Sequence, residues 1–162
     1  MEAYFDNSAT TKALDSVRDI MVKTLTEDFG NPSALHGRGM AAEQYIRDAR
    51  KKIAGTLKAK EKEIFFTSGG TESDNWAIKG SAFSGIERRK IITSSIEHHA
   101  VLRACEDIEK LGYPVTYLPT DTQGHIQARD LSEKVNTDTR LVSIMFSNNE
   151  IGTIQNIVQF AE

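Results

Sequence analysis

Apolar residues change their spacing twice along the chain. Leu14, Val17, Ile20, Met21 and Leu25 recur at helical intervals and predict a first helix over roughly residues 13–26. The next stretch, DFGNPSALHGRG, is rich in Gly, Pro, Asn and Ser and reads as a loop. Ala42, Tyr45, Ile46, Ala49, Ile53 and Leu57 restore the helical period, which predicts a second helix ending near Leu57. Strand-like and helical stretches then alternate. EIFFTS reads as a strand, TESDNWAIKGSAF as a helix, and KIITSS as the next strand. A helix follows over EHHAVLRACEDIEKLG, with Gly112 placed to end it. PVTYLPT is a third strand, Asp121 to Gly124 a turn, ARDLSEKV a short helix and RLVSIMFS a fourth strand. The chain leaves that strand through NNEIGTIQN and starts another helix near Ile157.

Strands alternating with helices predict βαβ units around a mostly parallel sheet, an α/β fold. The runs Ile64–Phe66 and Leu141–Met145 are almost wholly apolar, as a sheet covered on both faces requires. The length of 162 residues suits about one ordinary domain. A net charge of −3 gives no electrostatic case for nucleic acid or an anionic membrane. No apolar run approaches the roughly 20 residues needed to cross a bilayer. The opening MEAYFDNSATT lacks the basic and apolar regions of a secretory signal. The one cysteine, Cys105, excludes an internal disulfide framework and fits a reducing cytoplasm, and with four scattered histidines it makes no zinc site.

FFTSGGTESDN is the stretch that asks for an explanation. A buried strand would leave through Ser68, Gly69, Gly70 and Thr71, where the chain has least to pack. A helix starting there offers unpaired amides and the positive end of its dipole, and the glycines let an oxyanion approach the backbone. Neither GxGxxG nor GxxxxGK[ST] is present, so a small phosphate carried by a cofactor fits better than a nucleotide. The plain alternative is a tight turn, with Thr71 and Asp74 forming a capping box. Both readings stay open on these residues.

Two further loops emerge at the same end of the sheet, where open parallel sheets bind ligands. One carries Glu97, His98 and His99; the other carries Asn148, Asn149 and Glu150. Each has an ordinary alternative: a structural histidine, Asn–Asn turn chemistry, or solvated carboxylates. Their convergence favours a site.

The blocks YFDNSATT, FGNPSALH, FFTSGGTESDN, SSIEHHAVL and VSIMFSNNEIGTIQ, in that order, resemble the signature blocks of the NifS/IscS-type cysteine desulfurases. These are pyridoxal-phosphate enzymes of the class V aminotransferase group with the fold type I architecture. The resemblance implies that residues 13–162 are the first part of the cofactor-binding large domain and that residues 1–12 join the small domain. It implies that Gly70 and Thr71 bind the cofactor phosphate. His98 would stack on the pyridine ring and assist proton transfer, and Asn149 would hydrogen-bond beside the phenolic oxygen. His99 reads as structural, and His36 carries no assigned role. The implied reaction takes sulfur from L-cysteine, leaves L-alanine, and passes the sulfur as a protein persulfide to iron–sulfur scaffold or tRNA-thiolation partners. The implied enzyme is a cytoplasmic homodimer.

The pattern stops at Glu162, whereas family members continue through a Schiff-base lysine, a ring-nitrogen aspartate, a carboxylate-binding arginine and a persulfide cysteine. No lysine here lies in a matching block. Cys105 sits at helical spacing with Leu102 and Ile108 and reads as a buried structural thiol. The expectation is an N-terminal part of such an enzyme, inactive and poorly stable by itself. Two alternatives stand beside it: another class V enzyme, such as a selenocysteine lyase or an aminotransferase, and a non-catalytic half acting as scaffold or partner subunit.

Overall fold

The computed structural model describes residues 3–84 and 89–161. They fall into two compact units, Met1–Phe66 and Thr67–Glu162.

The first unit is helical. Helix α1 spans Asp15–Thr26, close to the predicted limits; α2 spans Gly37–Leu57, ending as predicted but starting inside the stretch read as a loop. Tyr45 on α2 donates its hydroxyl to Asp28 at 2.6 Å, and Lys23 on α1 donates to Tyr45 at 3.0 Å. These bonds join α1, the loop and α2. His36 is the N-cap of α2, its Nδ1 accepting from the amide of Gly39, so the histidine of the SALH block serves the backbone.

The expected strand EIFFTS is not one. A 3-10 turn occupies Glu61–Glu63, and Ile64 then takes an extended conformation (φ −99, ψ 120), yet the segment joins no sheet among the described residues. A run with β conformation becomes a strand only when a neighbour completes its ladder. Phe65 remains 67% exposed, and Phe66 lies beneath the Arg50 guanidinium, 5.2 Å from its centre.

The second unit is the α/β part. Its elements are α3 (Gly70–Phe83), β1 (Lys90–Ser94), α4 (His99–Lys110), β2 (Val115–Leu118), α5 (Ala128–Lys134), β3 (Thr139–Ser143) and α6 (Ile157–Ala161). The sheet is parallel with order β2-β1-β3; Ile91 pairs with Val115 on one side and Leu141 on the other. Alternate residues of β1 feed two cores. Ile91 packs with Ile78 and Ala82 of α3 and with Val101, Ala104, Cys105 and Ile108 of α4. Ile92 packs with Leu118, Ile126 and Leu131 on the opposite face. Burying side chains such as Ile78, Ile91 and Ile108 stabilises the unit by about 1.5–3 kcal/mol each. Coverage on both faces, expected for the apolar runs, holds for β1; β3 alternates between half-buried and exposed positions.

Helix α4 ends as the sequence suggests. Gly112 has φ +84, its amide bonds to the Glu109 carbonyl, and the Tyr113 amide bonds to that of Ile108, a Schellman closure. Cys105 is fully buried, and burial pushes its thiol up to about 11, which keeps it protonated and inert. No described helix is long and apolar enough to cross a membrane.

Candidate active site

Strand β1 runs on through α4 to β2 on one side and pairs with β3 on the other, so the loops leaving β1 and β3 diverge. Such a switch point opens a crevice between those two loops. A cavity of about 290 Å³ lies there, lined by residues 95–99 after β1 and 148–151 after β3, with Leu102 of α4.

The two loops hold each other. Glu97 is only 7% exposed, and its Oε1 accepts from the Ser94 hydroxyl at 2.9 Å and from the Met145 amide at 2.7 Å. Burial raises the Glu97 carboxyl above its ordinary range; the two donors and the nearby His98 oppose that rise, and the charge of Asp74 on α3 adds to it. Asn148, 8% exposed, donates from Nδ2 to the Ile96 carbonyl at 2.9 Å. Its Oδ1 accepts from the amides of Glu150 and Ile151, which winds the turn. A third loop, after β2, docks on the second. Gln155 accepts from the Ile126 amide and donates to the Gly124 carbonyl, and the Thr153 hydroxyl donates to the Gln123 carbonyl. Gly124 has φ +83, the left-handed backbone region that favours glycine.

His98 is the N-cap of α4, its Nδ1 accepting from the Ala100 amide at 3.1 Å. That bond occupies Nδ1 as an acceptor and leaves Nε2 to carry the proton of the neutral ring. Asn149 is exposed on the cavity rim, and none of the described hydrogen bonds uses its carboxamide.

The start of α3 explains the double glycine. The first helical bond runs from the Ser73 amide to the Gly69 carbonyl, so the amides of Gly70, Thr71 and Glu72 have no acceptor within the helix. Neither glycine is demanded by backbone conformation: Gly69 is extended (φ 162, ψ −178), and Gly70 does not have a positive φ. A Cβ at either would meet nothing within 4 Å. These glycines leave room above a row of donors and do not serve a tight turn. The expected capping box of Thr71 and Asp74 is also absent, because Thr71 lies inside the helix. Instead Glu72 reaches back to the amide and hydroxyl of Ser68, both at 2.7 Å, and these bonds hold its carboxyl below the ordinary value.

The structure therefore brings His98 and Asn149 to one cavity, and Gly70 and Thr71 to the open end of α3; the latter two are not among the lining residues of the cavity. Glu97, open to a solvated reading from sequence, is a buried tie. Gln155 was missed as a functional support. Nothing in the local sequence sets it apart, since the same loop carries Asn148, Asn149 and Asn156 as further carboxamides.

A sequence model of the family described as aminotransferase class-V matches residues 3–162. The chain belongs to the class V aminotransferases. It is 54% identical over 160 residues to a cysteine desulfurase IscS of Methanosarcina thermophila, covering 98% of this chain and 40% of that protein. It is 49% identical over 162 residues to the cysteine desulfurase IscS of Dictyoglomus turgidum, covering 99% and 41%. Among solved structures, a NifS-like protein superposes with a TM-score of 0.95 at 42% identity, over 99% of this chain and 44% of that one. SspA in complex with cysteine superposes with a TM-score of 0.91, also at 42% identity, over 97% and 46%. This class V chain thus spans about two-fifths of the length of the curated relatives it matches.

Proposed function

We propose that this chain carries the phosphate and ring contacts of a pyridoxal-phosphate cysteine desulfurase. The observation that carries the reading is the start of α3. Three successive amides without helical acceptors lie beside two glycines that the backbone conformation does not need. Such a row suits the phosphate of a cofactor, with the Thr71 hydroxyl as a further donor. The cavity chemistry fits the rest of the group: an imidazole and an unengaged carboxamide beside half-apolar walls.

Bound pyridoxal phosphate would supply an electron sink for bond cleavage next to an amino-acid Cα. The chain's residues hold that group and move protons around it. His98 would lay its flat ring against it, with Nε2 the atom able to give or take a proton, since Nδ1 is occupied by the helix cap. Asn149 would offer its carboxamide N–H to the phenolic oxygen. Residues 13–162 belong to the large, cofactor-binding domain, and residues 1–12 to the small one. The substrate is L-cysteine and the products are L-alanine and transferable sulfur. Cys105 is too deeply buried and too weakly acidic to accept it, so the acceptor thiol comes from outside these 162 residues. The working form is a cytoplasmic homodimer that passes sulfur to scaffold or thiolation partners.

Equilibrium dialysis with pyridoxal phosphate and with pyridoxal tests the phosphate contact. The phosphate form should bind more tightly, and Thr71→Ala should weaken it by roughly 1.5–3 kcal/mol, the value of a charge-assisted hydrogen bond. Equal binding of the two compounds, or no effect of Thr71→Ala, would contradict the assignment.

A further inference from the structure

We propose that Glu97 and Asn148 are positioning residues: through a reciprocal pair of hydrogen bonds they lock the loop bearing His98 and the loop bearing Asn149 into one rigid rim. The exchange is symmetrical. Glu97, from the first loop, accepts from the backbone of the second at the Met145 amide. Asn148, from the second loop, donates to the backbone of the first at the Ile96 carbonyl. Each tie is adjacent in sequence to the residue it would position, Glu97 to His98 and Asn148 to Asn149. The inference rests on the proposed function only for what the rim faces.

Three features favour positioning over ordinary packing. First, both side chains are buried, and a buried carboxylate is a costly way to fill space, so an apolar residue would serve stability at least as well. Second, the bonds leave the presenting groups available. His98 keeps Nε2, because its own helix cap uses only Nδ1, and Asn149 keeps its carboxamide, because Asn148 meets the turn amides. Third, the second loop is braced from behind. Gln155, 2% exposed, clips it to the Gly124–Ile126 segment, and the Thr153 hydroxyl adds a bond to the Gln123 carbonyl. The rim is therefore tied on one side and buttressed on the other. A planar ligand held between an imidazole and a carboxamide needs both at fixed separation, and a small drift of either loop would spoil the fit.

The test uses the whole chain, isotopically labelled, with amide exchange and line widths read residue by residue. Asn148→Asp keeps the Oδ1 acceptor that winds the turn but removes the Nδ2 donor to Ile96. It should speed exchange by about tenfold or more, the loss expected for one net hydrogen bond of the stronger kind. The effect should appear across the gap, at residues 96–98, as well as within its own loop. Glu97→Gln keeps an acceptor for Met145 and should leave that amide protected, whereas Glu97→Ala should expose it and broaden the Asn149 signals. If Glu97→Ala fails to fold, the comparison of Asn148→Asp with Glu97→Gln still decides. Changes confined to residues 148–153 in Asn148→Asp would overturn the proposal. Ligand titrations separate it from the functional reading. Pyridoxal phosphate should bind about tenfold or more weakly to Asn148→Asp, while inorganic phosphate should shift the amides of residues 70–72 equally in both proteins. Cross-gap coupling in a wild-type chain that binds no pyridoxal phosphate would uphold the rim and overturn the function. Normal binding with no coupling would do the reverse.

Discussion

Glu97 is a buried acid at the cavity, tied to the loop opposite. Burial raises its carboxyl pKa above the ordinary 4.5, so between the unfolded and the folded value the native protein holds a proton that the unfolded chain has released. The sign follows from that. Stability linked to this group is full below the unfolded value and is lost as pH rises through the raised folded value. Asp74 on α3 pushes the same way, while the Met145 amide, the Ser94 hydroxyl and His98 push back. Urea midpoints measured from pH 4 to 8 should therefore fall for the wild-type chain across that window relative to Glu97→Gln, which cannot ionise there. Parallel curves for the two proteins would show that Glu97 ionises in the fold as freely as in the unfolded chain. The Asn148–Asn149 pair shows a different division of labour. The first residue spends its carboxamide on the turn and the neighbouring loop, and the second leaves its own unused. The sequence assigns turn chemistry to such a pair, and a site role to Asn149 through family resemblance, but Glu97 looks like any polar residue at a strand exit. Its burial depends on Met145, 48 residues away, and no local pattern announces that contact.

At the scale of elements, helix α4 starts on a residue with two duties. His98 caps the helix through Nδ1, and in the proposed function it serves the cofactor through Nε2. The duties separate by substitution. His98→Ala should cost about 0.5–2 kcal/mol of stability through the lost cap, whereas His98→Asn should keep most of it, asparagine being a good cap. In a complete class V enzyme both substitutions should slow turnover by about 10²–10⁴-fold, the usual contribution of general acid–base help. Thermal melting and single-turnover rates on the two variants check this. A histidine that mattered only as a cap would lose rate in the alanine variant alone. Most elements were legible in the sequence because their signals are local. The apolar period marked α1 and α2, Gly112 marked the end of α4, and strand-like runs alternating with helices marked the parallel sheet. EIFFTS failed for the converse reason. Its residues favour β conformation and Ile64 adopts it, but strand identity belongs to a pair and cannot be read from one member. Of the two readings open for the start of α3, the capping box fails by two residues: Thr71 matches a cap pattern, yet the N-cap is Gly69 and the first-turn tie is Glu72 to Ser68.

At the scale of the whole chain, the notable quantity is exposed apolar surface. No residue of α1 is buried, and Leu14, Leu25, Phe29, Leu57 and Phe65 are each more than three-fifths exposed. Large apolar groups left in water favour association. The 162-residue chain should therefore self-associate, with a sedimentation coefficient that rises with concentration and a melt that sharpens with it. A concentration-independent monomer with a cooperative melt would contradict this.

The central claim is that the α3 start and the cavity rim receive one ligand, the phosphate at residues 70–72 and the ring at His98 and Asn149. Chemical-shift mapping of the labelled chain with pyridoxal phosphate measures this directly. The amides of Gly70, Thr71 and Glu72 should shift together with the His98 ring and the Asn149 carboxamide, with a single saturation curve. Inorganic phosphate should move only the three amides. Shifts at the rim without shifts at residues 70–72, or two independent saturation curves, would contradict the account.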